Sequence, residues 1–294
     1  MISFKLLVVL NEGLIFGLIS IGIYVSFQWL RYPDLTPDGS FVTGAVAYAI
    51  ATGSGYPPLI ALFFSIVAGT IAGLCTGLIN RLVKIPSVVA ALLVASGMYS
   101  VNWLLLGKPN QFLTEQQTLV GNLPGIDGAL ALLFWLIGLV IAIGILLSFF
   151  AHTVWGLRAR AIGENPLLAQ DVGTSLTGYT VLCLAMANGI VGLAGALFTQ
   201  RSYSADINMG IGITITGLTG MIMGLLIARG TQKIGLVLLA ILAGSILYRG
   251  LVFLVLGFGV PGQSFRLISA TVLIIAFALM RESATDFMRG IKWN

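Results

Sequence analysis

Charge is scarce along the whole chain, and that scarcity constrains the fold more than any motif does. Only 9% of the residues are Asp, Glu, Lys or Arg, against 58% hydrophobic, with a mean hydropathy of +1.03. Soluble domains carry roughly 25% charge. A chain with so few charged groups cannot cover a water-facing surface, so lipid must solvate it. A bilayer span takes about 17–25 apolar residues. On that measure nine spans are expected, near 6–30, 39–55, 58–80, 86–106, 128–150, 176–199, 209–228, 233–257 and 264–281. The second and seventh are short and glycine-rich, which suits buried or broken spans better than lipid-facing ones. Gly13-x-x-x-Gly17, Gly69-x-x-x-Gly73-x-x-x-Gly77 and Gly220-x-x-x-Gly224 are expected to be faces where helices pack closely. A surface on which helices slide is the functional alternative.

The same composition excludes several function classes. The net charge is +5, but the 15 basic residues are scattered between spans and form no nucleic-acid-binding stripe. Cys75 and Cys183 each sit inside an apolar span, so neither zinc ligation nor a disulfide is implied. The only histidine, His152, lies at a span end, and no catalytic or metal-binding constellation is present. No G-x-x-x-x-G-K-[ST] phosphate loop occurs, so this chain is not expected to hydrolyse ATP. The N-terminal apolar run is interrupted by Asn11-Glu12 and does not read as a cleaved signal. Glu12 is expected near an outer interface. Arg249, about mid-span in the eighth run, must snorkel or pair with a carboxylate. No row of buried acids runs through the spans, which counts against proton coupling. Trp135 and Trp155, near the ends of the fifth span, read as interfacial anchors.

One polar interval stands out, residues 156–173, GLRARAIGENPLLAQDVG. Asn165 can cap a helix and Pro166 suits its first position, where the missing N–H would be unpaired anyway. Leu167, Leu168 and Val172 give that short helix an apolar side, and Gly173 offers a stop. Apolar knobs on a short helix outside the bilayer suit a docking device, with a plain solvated loop as the alternative.

Arg160-Ala161-Ile162-Gly163-Glu164-Asn165-Pro166 resembles the cytoplasmic coupling loop of ABC-transporter permeases of the ribose and branched-chain amino-acid class. Pro33-Asp34-Leu35-Thr36-Pro37-Asp38-Gly39-Ser40-Phe41 and Lys84-Ile85-Pro86-Ser87, with Met98-Tyr99-Ser100-Val101-Asn102, resemble its uncharacterised or aromatic-amino-acid import subgroup. The likeness runs from about Gly13 to Ala278. It implies an all-α polytopic permease of the vitamin B12-importer type, assembled with a second copy of itself. It further implies two copies of a cytoplasmic ATP-binding subunit, which would hold ATP and magnesium, and a periplasmic or lipoprotein solute-binding protein. The ATPase-coupling residues would be Arg160, Gly163, Glu164, Asn165, Pro166, Leu167 and Leu168.

Lysine and arginine placement orients the chain. With the N-terminus outside, Arg31, Arg81, Lys84, Arg158, Arg160, Arg229, Lys233, Arg281, Arg289 and Lys292 face the cytoplasm. Lys5, Lys108, Arg201 and Arg266 then lie outside; Lys5 fits poorly, and an N-in arrangement with one span miscounted is the alternative. A weak internal repeat is also visible. Asp38-Gly39 is answered by Asp206…Gly210, and Ala68-Gly69-Thr70 by Ala243-Gly244-Ser245. An inverted repeat is expected, residues 6–106 and 176–281, flanking a linking span at 128–150 and a coupling loop at 151–175.

Asp34, Asp38 and Asp206 enter short spans, where turn chemistry is the plain reading and pathway entry the sharper one. In the resembling fold the fourth span lines the passage between two copies. Here it opens at Pro86-Ser87, a natural place for an inner gate. Leu92, Ser96, Ser100 and Trp103 share one face, Tyr99 borders it and Asn102 points away. The serines could instead bond back to their own helix. An ion- or proton-coupled secondary transporter and a non-transporting membrane scaffold are the alternatives on the residues alone.

Overall fold

The structure, a computed structural model, describes residues 2–121, 128–229, 231, 233–259 and 264–279. Each expected apolar run is helical, with ends within a few residues of expectation. Helix α1 (Ile2–Tyr24) passes into one π-helical turn, Val25–Trp29. Helices α2 (Pro37–Gly53), α3 (Pro58–Val83) and α4 (Ser87–Leu106) follow. After strand β1 (Asn110–Phe112) come α5 (Gly128–His152), α6 (Val154–Glu164), α7 (Pro166–Asp171) and α8 (Leu176–Ser202). Strand β2 (Ser204–Asp206) pairs antiparallel with β1, and α9 (Ile213–Ile227), α10 (Ile234–Gly257) and α11 (Phe265–Leu279) complete the described chain.

Six helical segments are long and apolar enough to cross a membrane: Leu6–Trp29, Pro58–Val83, Ser87–Leu106, Gly128–His152, Leu176–Ser202 and Ile234–Gly257. Helices α2, α9 and α11 are shorter, at 17, 15 and 15 residues. The nine expected spans are therefore six long helices and three short ones among the described residues. Arg281, Arg289 and Lys292 lie outside those residues.

Helix α8 is buried along most of its length, and α1 lies antiparallel to it, with Phe16 against Phe198 and Gly22 against Ala187. Helices α2 and α3 pack on α8, while α9 and α10 pack on α1. The small-residue motifs account for these approaches. Gly69, Gly73 and Gly77 meet α8 at Asn188, Leu184 and Val181, and a Cβ at Gly69 or Gly73 would strike carbonyl oxygen. Gly13 and Gly17 seat Ile246 and Leu242 of α10; Gly220 and Gly224 meet Ser245 and Ile241. All three motifs are packing faces within one chain.

The intramembrane charges also find each other. Arg249 Nε donates to Glu12 Oε2 at 2.6 Å, and its guanidinium lies over the rings of Phe16 and Phe265. Pairing and cation–π contact offset the desolvation of both groups. Arg249 pairs, as one of the two expectations had it, and Glu12 is its partner.

Candidate functional site

The polar interval folds as two short helices. Thr153 caps α6, its hydroxyl accepting from Gly156 N; Arg160 Nη2 donates to Ala151 O at 2.7 Å and holds α6 against the end of α5. Asn165 caps α7, its side-chain oxygen accepting from Leu168 N at 3.2 Å, and Pro166 opens the helix. Ala169 is the buried residue of α7, whereas Leu167, Leu168 and Val172 are each more than three-fifths exposed. Glu164 is exposed and accepts from Arg31 Nη2 at 2.6 Å. Gly163 is different. It is buried, and a Cβ there would collide with the carbonyl oxygen of Trp29, so its lack of a side chain lets α6 close on the end of α1. Among the expected coupling residues, Leu167 and Leu168 thus form an outward apolar face and Gly163 an inner contact against the end of the π-helical turn after α1.

From Arg31 the chain turns back into the bundle before α2 begins. Asp34 is fully buried; its Oδ1 accepts from Thr36 N at 2.9 Å and its Oδ2 from Asn188 Nδ2 at 2.8 Å. Ser40 Oγ donates to Asn188 Oδ1 at 2.6 Å, and the hydroxyls of Thr36 and Thr76 meet at 2.8 Å. Asn188 lies near the middle of α8, so this polar seam sits deep between membrane-length helices. All five residues are fully buried, so each polar group needs a partner there. Asp34 is therefore turn chemistry and an inter-helix tie at once.

Asp38 sits in the first turn of α2 and caps a different helix. Its Oδ1 accepts from the amide and the hydroxyl of Thr214, both at 2.7 Å, and its Oδ2 from Gly212 N at 3.2 Å. The two short helices thus begin beside each other inside the bundle. From there α2 runs along α8 towards Gln117, which accepts from Tyr48, and α9 runs the opposite way along α10. Gly210 allows the approach, since a Cβ there would strike the carbonyl oxygen of Asp38. Asp206 accepts from Asn208 N at 2.6 Å, which is turn chemistry.

Helix α4 starts at Ser87 with Pro86 in the capping position, and Asn80 Nδ2 ties the preceding turn to Ile85 O at 2.7 Å. Its inner side faces α2, with Ala95 against Gly39. Leu92, Ser96, Tyr99, Ser100 and Trp103 are exposed on the protomer, and Asn102 is fully buried. Ser20, Ser40, Ser65 and Ser245 each donate to the carbonyl four residues back. Ser96 and Ser100 make no such bond among the described residues. A cavity of about 350 Å³ opens beside this face, and Ser96, Tyr99, Asn102 and Asp38 line it together.

The sequence profile described as "Branched-chain amino acid transport system / permease component" matches residues 6–277. The chain belongs to that permease family. It is 30% identical to the tyrosine transport system permease protein of Clostridioides difficile, over 92% of this chain and 88% of that one. It is 25% identical to a probable branched-chain amino acid transport permease protein of Methanocaldococcus jannaschii, covering 94% and 89%. The galactofuranose transporter permease protein of Escherichia coli is 22% identical over 88% of this chain and 74% of its own. No solved structure matches this permease. It is the membrane subunit of an ABC-type transport system, not its ATPase, and the family implies ATPase and solute-binding partners.

Three residues of the permease that organise the site were not singled out from sequence: Asn188, Thr214 and, as a cavity residue, Asn102. An asparagine inside an apolar span is a detectable signal, because it must find a partner. Asn188 qualifies by that measure. Nothing local marks Thr214 as the partner of Asp38, which lies 176 residues away in the chain.

Proposed function

We propose that this permease is the membrane-spanning subunit of an ATP-driven importer in the bacterial cytoplasmic membrane, working as a homodimer. The observation that carries the reading is the exposed apolar face of α7, Leu167, Leu168 and Val172, at the end of the bundle where Arg31, Arg158 and Arg160 gather. In an otherwise polar loop such a face suits contact with another protein. The basic cluster also supports an orientation with that end and the C-terminus in the cytoplasm and the N-terminus outside.

A pair of ATPase subunits, binding ATP and magnesium, would press on α6–α7. Gly163 and the Arg31–Glu164 pair would pass the movement to the end of α1 and the buried turn beyond it. The inverted repeat and the vitamin B12-importer type of fold are supported by the reciprocal packing of α2 and α3 on α8 and of α9 and α10 on α1. The exposed stripe of α4, from Pro86 and Ser87 past Leu92, Ser96 and Tyr99 to Ser100 and Trp103, would line a passage on the two-fold axis. Free hydroxyls there suit a solute that binds weakly and leaves. The name of the Clostridioides difficile relative supports an amino acid as that solute, delivered by a periplasmic or lipoprotein binding protein.

Reconstitution with the cognate ATPase and binding protein tests the reading. Uptake into proteoliposomes should require ATP and survive collapse of proton and sodium gradients. Gradient-driven uptake without ATP would make the protein a secondary transporter instead.

A further inference from the structure

We propose that the cavity between α2, α4 and residues 207–211 is a solute subsite within each protomer, taking a primary ammonium group carried on an apolar body. The inference rests on the transport reading above and adds the chemistry that the passage selects. The cavity holds about 350 Å³, with Val42, Ile207 and Ile211 as apolar lining and four polar residues, Asp38, Ser96, Tyr99 and Asn102, in its wall.

What those side chains have left to offer decides the ligand class. Asn102 is fully buried; its Nδ2 donates to Thr43 Oγ1 at 3.1 Å, while its Oδ1 has no hydrogen-bond partner among the described residues. A buried carbonyl oxygen in that position calls for a donor. Asp38 Oδ2 accepts one hydrogen bond, from Gly212 N at 3.2 Å, and a carboxylate oxygen has room for a second. The hydroxyls of Ser96 and Tyr99 have no partners among the described residues either, and both can accept. No lysine or arginine lines the cavity.

An anion finds nothing comparable. Two helix N-termini lie nearby, but five of their amides are engaged. Gly39 N and Ser40 N donate to Thr36 O, Ile213 N to Gly210 O, and Gly212 N and Thr214 N to Asp38. Asp38 Oδ2 and Asn102 Oδ1 can only accept, the hydroxyls of Ser96 and Tyr99 can do either, and the one formal charge is negative. A –NH₃⁺ group brings three donors and the opposite charge. Ser96 and Tyr99 also lie on the exposed stripe of α4, so the cavity opens onto the face proposed as the passage.

The test compares two probes that share a body and differ in charge, radiolabelled phenethylamine and 3-phenylpropionate. Each is equilibrated with the full-length permease in lipid nanodiscs. Saturable retention of the amine and none of the acid is expected. Asn102→Leu should weaken amine binding about tenfold or more, and Tyr99→Phe supplies a milder change should that variant fold poorly. Equal retention of both probes, or unaltered amine binding in both variants, would overturn the proposal. Because binding needs no ATP, the two readings fail separately. Amine binding without ATP-driven uptake keeps the subsite and removes the importer, whereas uptake without amine binding does the reverse.

Discussion

Asp34 Oδ2 accepts a hydrogen bond from Asn188 Nδ2 at 2.8 Å, joining the turn before α2 to the middle of α8. Asn188→Leu would leave Asp34 Oδ2 without its partner in a fully buried place, while Ser40 keeps its bond to Thr36 O. An unsatisfied buried polar group costs about 1–3 kcal/mol, and more when charged. Expected is a lower melting temperature for Asn188→Leu in detergent, partly restored by adding Asp34→Leu. A single variant as stable as the parent would remove the seam from the list of stabilising features.

The Glu12–Arg249 pair allows a sharper version of the same experiment. Breaking a fully buried ion pair on one side costs about 3–5 kcal/mol, an upper bound for this partly exposed pair, whereas replacing both partners with apolar groups is often neutral. Arg249→Met should therefore destabilise strongly and Glu12→Leu with Arg249→Met much less. Thermal unfolding of the two singles and the double gives the coupling directly. Additive losses would mean that Phe16 and Phe265, not Glu12, hold Arg249.

Gly163 and Leu168 should fail in different ways. Gly163→Val forces α6 away from Trp29, so the expected result is lower stability together with lost coupling. Leu168→Ser alters only an exposed side chain, so the fold should keep its melting temperature while the ATPase no longer copurifies. Equal copurification with parent and Leu168→Ser would leave α7 as a mere connection.

Much of this was legible in the sequence because the bilayer enforces it. Apolar run length placed the helices, from 58–80 for a helix that ends at Val83 to 233–257 for one that starts at Ile234. Asn165-Pro166 announced the α7 cap, since both residues act within one turn. The depth at which α2 and α9 start was not legible. Their short runs showed only that something was unusual; the reason is Asp38 reaching Thr214, a contact between distant parts of the chain. Gly163 could be read as part of the outward loop because its burial depends on where the end of α1 lies, which no local pattern carries.

Ser96→Leu and Ser100→Leu probe the passage. Each hydroxyl is free of its own helix, so each replacement adds bulk to an exposed face without breaking a bond. Lost uptake with normal expression and ATPase assembly is expected for both. Normal uptake from both would take α4 out of the passage.

Accessibility of α7 tests the central claim most directly. Leu168→Cys is placed in a background with Cys75 and Cys183 replaced by Ala, and labelled with a membrane-impermeant maleimide. In intact cells it should stay unlabelled. In inside-out vesicles it should react readily without the ATPase and be shielded when the ATPase is bound. Labelling from outside intact cells would contradict the account, because no cytoplasmic ATPase could reach that helix.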